Sequence, residues 1–232
     1  MGQHTVTSFD EDLDAIDRLI HDMGDLADAM VGASARALLA SDPALAQRVV
    51  SDDAAMDAAQ RELDERAITL IAKRQPVAQD LRSVVGAIRM AADLERIGDL
   101  AKNIAKRVGA VGDNAVPRAL SHSIETMSQA VIAQIDRAIA RYEARDADGL
   151  VSLRDEDEKI DVQYTAVFRE LLTYMLEDPR NITPCTHLLF CAKNLERVGD
   201  HATNIAEKAY YLATGRQLTS EVQELQRQQI KT

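Results

Sequence analysis

LERIGDLAKNIAK at residues 94–106 returns as LERVGDHATNIAE at residues 195–207. Nine of the thirteen positions are identical, across a spacing of 101 residues. A repeat of that period in a 232-residue chain predicts two similar halves, residues 1–112 and 113–232. Each copy sets a glutamate, an aspartate and an asparagine at i, i+4 and i+8: Glu95, Asp99 and Asn103, then Glu196, Asp200 and Asn204. A repeated acidic stripe predicts that something cationic is held twice.

The rest of the chain reads as helix. Hydrophobic residues make up 46% and aromatics only 3%, without tryptophan, which disfavours strands built on aromatic and β-branched side chains. Apolar residues recur at helical spacing almost throughout. Ser8 with Glu11 reads as a capping box opening a first helix that runs to about Ser41. Asp42 and Pro43 read as the N-cap and first-turn proline of a second, to about Lys73. A turn at Arg74 to Pro76 leads into a third, ending near Gly109 to Gly112. Residues Asp113 to Pro117 read as the linker. A fourth helix to Arg145, a fifth over Ala147 to Glu177 and a sixth ending near Gly215 repeat the pattern, before a polar tail from Gln217. The expected fold is all-α: two tandem pseudo-symmetric three-helix bundles of six long antiparallel helices.

Hairpin geometry gives the repeated acids partners. Asp53 and Asp57 lie on the second helix, Asp157 and Asp161 on the fifth, each pair at i, i+4. The pairs Asp57/Glu95 and Asp53/Asp99 share a sequence midpoint at Pro76, in the turn itself. The pairs Asp161/Glu196 and Asp157/Asp200 share one between Asp178 and Pro179, again in a turn. Antiparallel hairpins therefore set each group of four acids at one height. Asp53 falls in the apolar stripe of Val49, Met56, Leu63, Ala67 and Ile71. Glu95 and Asp99 continue the seam of Leu81, Val85, Ile88 and Ala92. Four facing carboxylates repel, and partial burial raises their pKa values. A bound cation relieves both costs. Oxygen donors select hard cations, Mg²⁺ or Mn²⁺, or oxygen-ligated iron.

Plainer readings compete at each feature. Arg96 and Arg197 lie within three residues of the motif aspartates, so a solvated, locally neutralised face is the alternative. Gly98 and Gly199 fit close helix packing better than backbone access for a ligand. His187 and His201 read as surface or packing residues rather than ligands, and Lys73, Arg74 and Arg82 as solvated charge. Cys185 and Cys191, six apart, point in different directions on a helix and read as buried free thiols. A formal net charge of -11 argues against nucleic acid. The N-terminus carries no apolar h-region and no long apolar run follows, so a cytoplasmic protein is expected, without direct membrane insertion.

LERIGDLAKNIAK, LERVGDHATNIAEKAYYL and RQPVAQDLR together closely resemble the PhoU family of phosphate-transport regulatory proteins. The resemblance covers nearly the whole chain. It implies two tandem three-helix bundles, a homodimer, and a cytoplasmic negative regulator of phosphate uptake and phosphate-starvation signalling. Such proteins link the phosphate ABC transporter ATPase to a sensor histidine kinase. In metal-binding members a Glu/Asp-x-x-x-Asp motif on paired helices supplies ligands. Here that pattern falls on Glu95/Asp99, Glu196/Asp200, Asp53/Asp57 and Asp157/Asp161. Asp93, Arg96, Asn103, Asn194, Arg197 and Asn204 stand around the motif as supporting residues. The copies differ where Asp93 becomes Asn194 and Leu100 becomes His201, and Asp80 to Arg82 has no counterpart, so the two sites are expected to be unequal.

Three functions are thus weighed: a metal-binding regulatory adaptor, a purely structural helical adaptor, and a carboxylate-bridged di-iron enzyme. The third is disfavoured, because its helical signature is Glu-x-x-His and none of the five histidines has a glutamate three residues before it. A non-enzymatic role is expected. A histidine phosphotransfer domain is a weaker variant, since nothing marks His21 or His122 as a phosphoacceptor.

Overall fold

The computed structural model describes residues 2–112 and 118–219. The expected linker at Asp113 to Pro117 and the tail beyond Thr219 lie outside the described residues. The elements are α1 (Gly2–Ala40), α2 (Pro43–Arg74), α3 (Gln79–Ala105), a single turn α4 (Val108–Val111), α5 (Arg118–Glu143), α6 (Ala147–Glu177), a 3₁₀ turn (Pro179–Asn181) and α7 (Ile182–Thr214). No strand occurs among the described residues.

Local chemistry sets most boundaries. Asp42 accepts hydrogen bonds from the amides of Ala44 (2.9 Å) and Leu45 (3.0 Å), capping α2 ahead of Pro43. Asp146 caps α6 through the Gly149 amide at 3.1 Å. Gly215, at φ 71°, closes α7 in the left-handed conformation that glycine adopts without cost. Two expectations need correction. The first helix does not open at Ser8: it begins at Gly2, and no glycine or proline interrupts Gln3 to Phe9. The third ends early, at Ala105, because a tight bond from the Arg107 amide to the Ile104 carbonyl (3.0 Å) breaks the α pattern before α4.

The helices form two three-helix bundles, α1–α2–α3 and α5–α6–α7, that share one core. Helices α1, α3, α5 and α7 are central; α1 packs on α5, and α3 on α7. Helices α2 and α6 lie outside, each against two helices of its own half. Along α1, Ile16, Ile20, Met23, Ala27, Met30 and Leu38 are fully or almost fully buried at steps of three, four and eight. Burial of each large apolar side chain contributes about 1.5–3 kcal/mol. Small residues bring the halves close. A Cβ on Gly24 would stand 3.0 Å from Ile139 of α5, and one on Gly86 would overlap Leu212 of α7. Asp28 also sits on the α1–α5 contact, where burial and its hydrogen bond to Asp136 push its carboxyl up to about 9.

Cys185 and Cys191 are free and buried, as read from their spacing. No helix among the described residues is long and apolar enough to cross a membrane.

Candidate functional site

The α2–α3 seam holds the first acid group. Asp53, Asp57, Glu95 and Asp99 are all half-buried there. Burial, and then the charge of Asp99, hold the Glu95 carboxyl above its ordinary value; Asp57 and Asp53 add to this and Arg96 opposes it. The level pairing inferred from the turn is thus present. Lys102, three residues past Asp99, crosses the seam: its Nζ lies 2.7 Å from Asp53 Oδ2 and 2.6 Å from Asp99 Oδ1. Its side chain is only 19% exposed. Hydrogen bonds to Asp53 and Asp99 raise its pKa against the effect of burial. Arg96 closes the outer edge, 3.1 Å from Asp99 and 3.5 Å from Glu95. Behind the acids, a Cβ on Gly98 would stand 3.1 Å from Met56 and 3.6 Å from Met30, so this glycine serves close packing.

The α6–α7 seam holds the second. Asp157 and Glu196 are half-buried, Asp161 and Asp200 exposed. Burial, then the charge of Asp200, raise the Asp157 carboxyl; Asp161 adds to this, and hydrogen bonds from Gln134 and Thr203 work against it. Thr203 is the repeat counterpart of Lys102. A hydroxyl therefore stands where the first seam has an ammonium. Thr203 Oγ1 accepts a 2.8 Å hydrogen bond from Nε2 of Gln134, a fully buried residue of α5. Gln134 Oε1 has no partner. A Cβ on Gly199 would stand 3.2 Å from Asp157 Oδ1 and 3.3 Å from Gln134 Oε1, with Ile160 at 3.1 Å. Lys193 pairs with Glu196 Oε1 and lies 5.3 Å from the Tyr164 ring. Glu196 Oε2 is buried without a partner. Among the described residues, no side-chain cation pairs with Asp157, Asp161 or Asp200 within 4.0 Å.

The supporting residues scatter. Asn103 is exposed. Asn204 lines the groove between α3 and α7 with Arg82, Arg89 and Lys208, because i+8 lies about 80° round the helix from the glutamate. Arg197 is exposed and Asn194 half-buried. Asp93 is 7% exposed and faces the other half. It hydrogen-bonds to His201 Nδ1 at 3.0 Å and pairs with Lys208. The two positions at which the repeat copies disagree, Asp93 and His201, therefore meet each other.

That contact belongs to an antiparallel ladder. Lys208 also donates to the Arg89 carbonyl at 3.4 Å. Arg82 lies over the Tyr211 ring at 5.2 Å. At the other end Arg107, the counterpart of Lys208, bonds to His187 at 3.2 Å and lies over the Phe190 ring at 4.3 Å. Phe190 is the counterpart of Arg89. A pseudo-two-fold axis thus passes near Ile97 and Val198, both fully buried counterparts.

A family model described as PhoU domain matches residues 20–108 and again residues 124–209. The chain belongs to the PhoU family. A relative from Rhizobium meliloti (strain 1021), "Phosphate-specific transport system accessory protein PhoU homolog", is 56% identical over 214 residues, covering 92% of this chain and 90% of the relative. A relative of the same name from Caulobacter vibrioides (strain NA1000 / CB15N) is 44% identical over 221 residues, 95% of this chain and 96% of its own. The crystal structure of PhoU from Pseudomonas aeruginosa superposes with a TM-score of 0.85 at 33% identity, over 90% of this chain and all of that one. The PhoU of Streptococcus pneumoniae gives 0.83 at 26% identity, over 91% and 99%.

Each PhoU domain match contains one copy of the motif and one acid seam. The seams differ in how well they suit a metal. Among the described residues, no three His, Cys, Asp or Glu side chains converge closely enough to hold an ion as they stand. In the first PhoU domain Lys102 already supplies the positive charge. In the second, the unpartnered oxygens of Gln134 and Glu196 and the raised Asp157 carboxyl fit an oxygen-ligated cation. Gln134, Lys102 and Thr203 were not singled out from the sequence. Two signals existed: Gln134 falls between Val131, Ile135 and Ala138 at a core position of α5, and Lys102 against Thr203 is a mismatch inside the quoted repeat.

Proposed function

We propose that this chain is a non-enzymatic accessory regulator of phosphate uptake and phosphate-starvation signalling. It acts in the cytoplasm as a homodimer, a divalent-metal-binding adaptor between the phosphate ABC transporter and a sensor histidine kinase. The observation that carries the reading is the match, along almost their entire length, to relatives named as phosphate-specific transport system accessory proteins. The accessory name also supports the absence of catalysis.

The metal component draws support from the second seam. Asp157, Glu196 and Asp200 would hold an Mg²⁺, Mn²⁺ or oxygen-ligated iron ion, with Asp161 at the rim; Asp53, Asp57, Glu95 and Asp99 are the corresponding set. A bound ion supplies positive charge between two helices. The protein's own groups hold α6 against α7 and keep the carboxylates partly out of water. Metal tunes docking only if the docking-competent state binds it more tightly.

Deletion of the gene should derepress phosphate-starvation genes in high phosphate; unchanged transcript levels would sink the regulatory reading. Metal analysis of purified wild type, against Glu95→Ala/Asp99→Ala and Glu196→Ala/Asp200→Ala variants, tests the metal component separately. A wild-type protein that takes up no Mg²⁺, Mn²⁺ or iron, and melts identically with metal and chelator, removes it.

A further inference from the structure

The chain carries a formal net charge of -11, yet cations line the open face between α3 and α7. On α3, Arg82, Val85, Arg89 and Arg96 lie on one stripe, at steps of three, four and seven. On α7, Arg197, His201, Asn204, Lys208 and Tyr211 form the antiparallel stripe opposite, at steps of four and three. Toward the α2–α3 turn the two stripes enclose a groove of about 700 Å³, walled by Arg82, Val85 and Arg89 of α3 and by Asn204, Lys208 and Tyr211 of α7. Arg96 and Arg197, repeat counterparts, continue the two walls toward the pseudo-two-fold axis.

Most of this positive charge is unmatched. Among the described residues, no carboxylate lies within 4.0 Å of Arg82, Arg89 or Arg197. Arg89 and Arg197 are exposed. Glu207 is the one acid on the groove wall among the described residues, and Asp93 is buried and already held by His201 and Lys208. Apolar surface stands beside the cations: Leu81 and Tyr211 are each 38% exposed, and Val77 in the adjoining turn is 74% exposed. Ala78, also on the wall, has φ 50° and ψ -106°. Such a conformation costs an alanine about 1–3 kcal/mol, and strain of this kind gathers where a chain is shaped for a ligand or a partner.

We propose that this face docks an acidic, amphipathic helical segment of a partner protein. A furrow between two antiparallel helices accepts a third helix, its apolar side chains on Leu81, Val85 and Tyr211 and its carboxylates on Arg82, Arg89 and Arg197. The stretch from Arg82 to Arg96 is about 21 Å long, room for about four turns of such a segment. A bilayer fits less well, because the groove is concave and the acid seams of α2–α3 and α6–α7 flank the face and repel anionic headgroups. Nucleic acid meets the same repulsion. The inference deepens the adaptor reading by giving it a contact surface, and it does not depend on metal.

Stopped-flow association of the full chain with a fluorescein-labelled synthetic helix of leucines and glutamates, spaced at three and four, tests this. Wild type should bind the probe, its glutamine twin should not be bound, and rising salt should slow association. Arg89→Glu/Arg197→Glu should slow association about tenfold or more. Arg89→Gln/Arg197→Gln, which only removes charge, should slow it less. Lys159→Glu/Arg169→Glu, at exposed positions of α6, carries the same change in net charge and should leave the rate near that of wild type. Equal slowing by the two glutamate variants would mean that only net charge is felt, and equal binding of both probes would mean that acid is not recognised; either overturns the proposal. So does a wild-type chain that binds neither probe, or that binds phosphatidylglycerol vesicles in preference. Binding only after removal of residues 220–232 would make the chain's own tail the occupant, and a dimer seen by light scattering that Arg89→Glu/Arg197→Glu dissociates would make it a second copy; both overturn the partner assignment. Gene deletion reads regulation without reference to this groove, so failure here leaves the regulatory reading standing.

Discussion

The two acid seams of this chain start from the same motif and solve the same electrostatic problem differently. In the α2–α3 seam, lysine and arginine neutralise the acids from within, and the glycine behind them packs against methionines. In the α6–α7 seam, a threonine and a glutamine stand in the lysine's place, two oxygens are left without donors, and the glycine faces polar atoms. One difference between the copies, lysine against threonine at the third position past the motif aspartate, decides whether an ammonium crosses the seam between the aspartates. The motif alone therefore does not tell how a copy neutralises its acids; the residue one turn on does.

Breaking the comparison at the glycines should have the largest effect. Gly98→Val forces a branched side chain into Met56 and Met30, and a loss of about 3 kcal/mol is expected from overpacking. Gly199→Val meets Ile160 at 3.1 Å, Asp157 at 3.2 Å and Gln134 at 3.3 Å from the first added carbon, and Gln134 is buried and hydrogen-bonded, so its loss should be at least as large. Urea unfolding of both variants measures this; a clearly smaller loss in Gly199→Val would mean that the second seam gives way where the first does not. Next comes Lys102→Met, which strips Asp53 and Asp99 of their bridge and should cost about 2 kcal/mol, the scale of hydrogen bonds to charged groups. Thr203→Val should cost about 1 kcal/mol, because a neutral bond is lost and Gln134 Nε2 keeps only its long contact to Leu153.

The smallest effect sharpens the comparison through pH. Burial and then the charge of Asp200 raise the Asp157 carboxyl, so the folded chain keeps a proton that the unfolded chain releases. The folded state then binds more protons, and stability falls as pH rises from the ordinary carboxylate range through the raised value. Asp157→Asn removes that slope. Melting temperature between pH 4 and pH 8 should decline less in the variant than in wild type, and a parallel decline would refute the assignment. Saturating Mn²⁺ should flatten the wild-type profile in the same way, since an ion favours the deprotonated form.

Much of this was legible in the sequence. Midpoints at Pro76 and Pro179 set the acids level across each hairpin, because a short turn and a constant rise per residue leave little freedom in register. The caps at Asp42 and Gly215 were legible for the same local reason. What crosses a seam was not. Lys102 could have pointed to water, and only the packing of α2 on α3 turns it inward. Gln134 enters through the rotation of α5 against α7, which no local pattern specifies. The Asp93–His201 contact required the antiparallel docking of α3 on α7; without it the two mismatches in the repeat read as weakened symmetry rather than as a matched pair.

That ladder carries a consequence for the symmetry of the chain. A two-fold interface between identical subunits must repeat every contact, residue i on j and j on i. Here one end joins Asp93 to His201 and Lys208, and the other joins Arg107 to Phe190 and His187. Two copies of the first half alone would set Asp93 opposite Leu100 at both ends, and two copies of the second would set Asn194 opposite His201. Two first halves would keep a cation opposite Asp93, since Arg107 is the counterpart of Lys208, but only the pairing of unlike halves gives Asp93 a histidine as well. Because both halves lie in one chain, the two sides of this contact are free to differ, and the ladder between α3 and α7 uses that freedom.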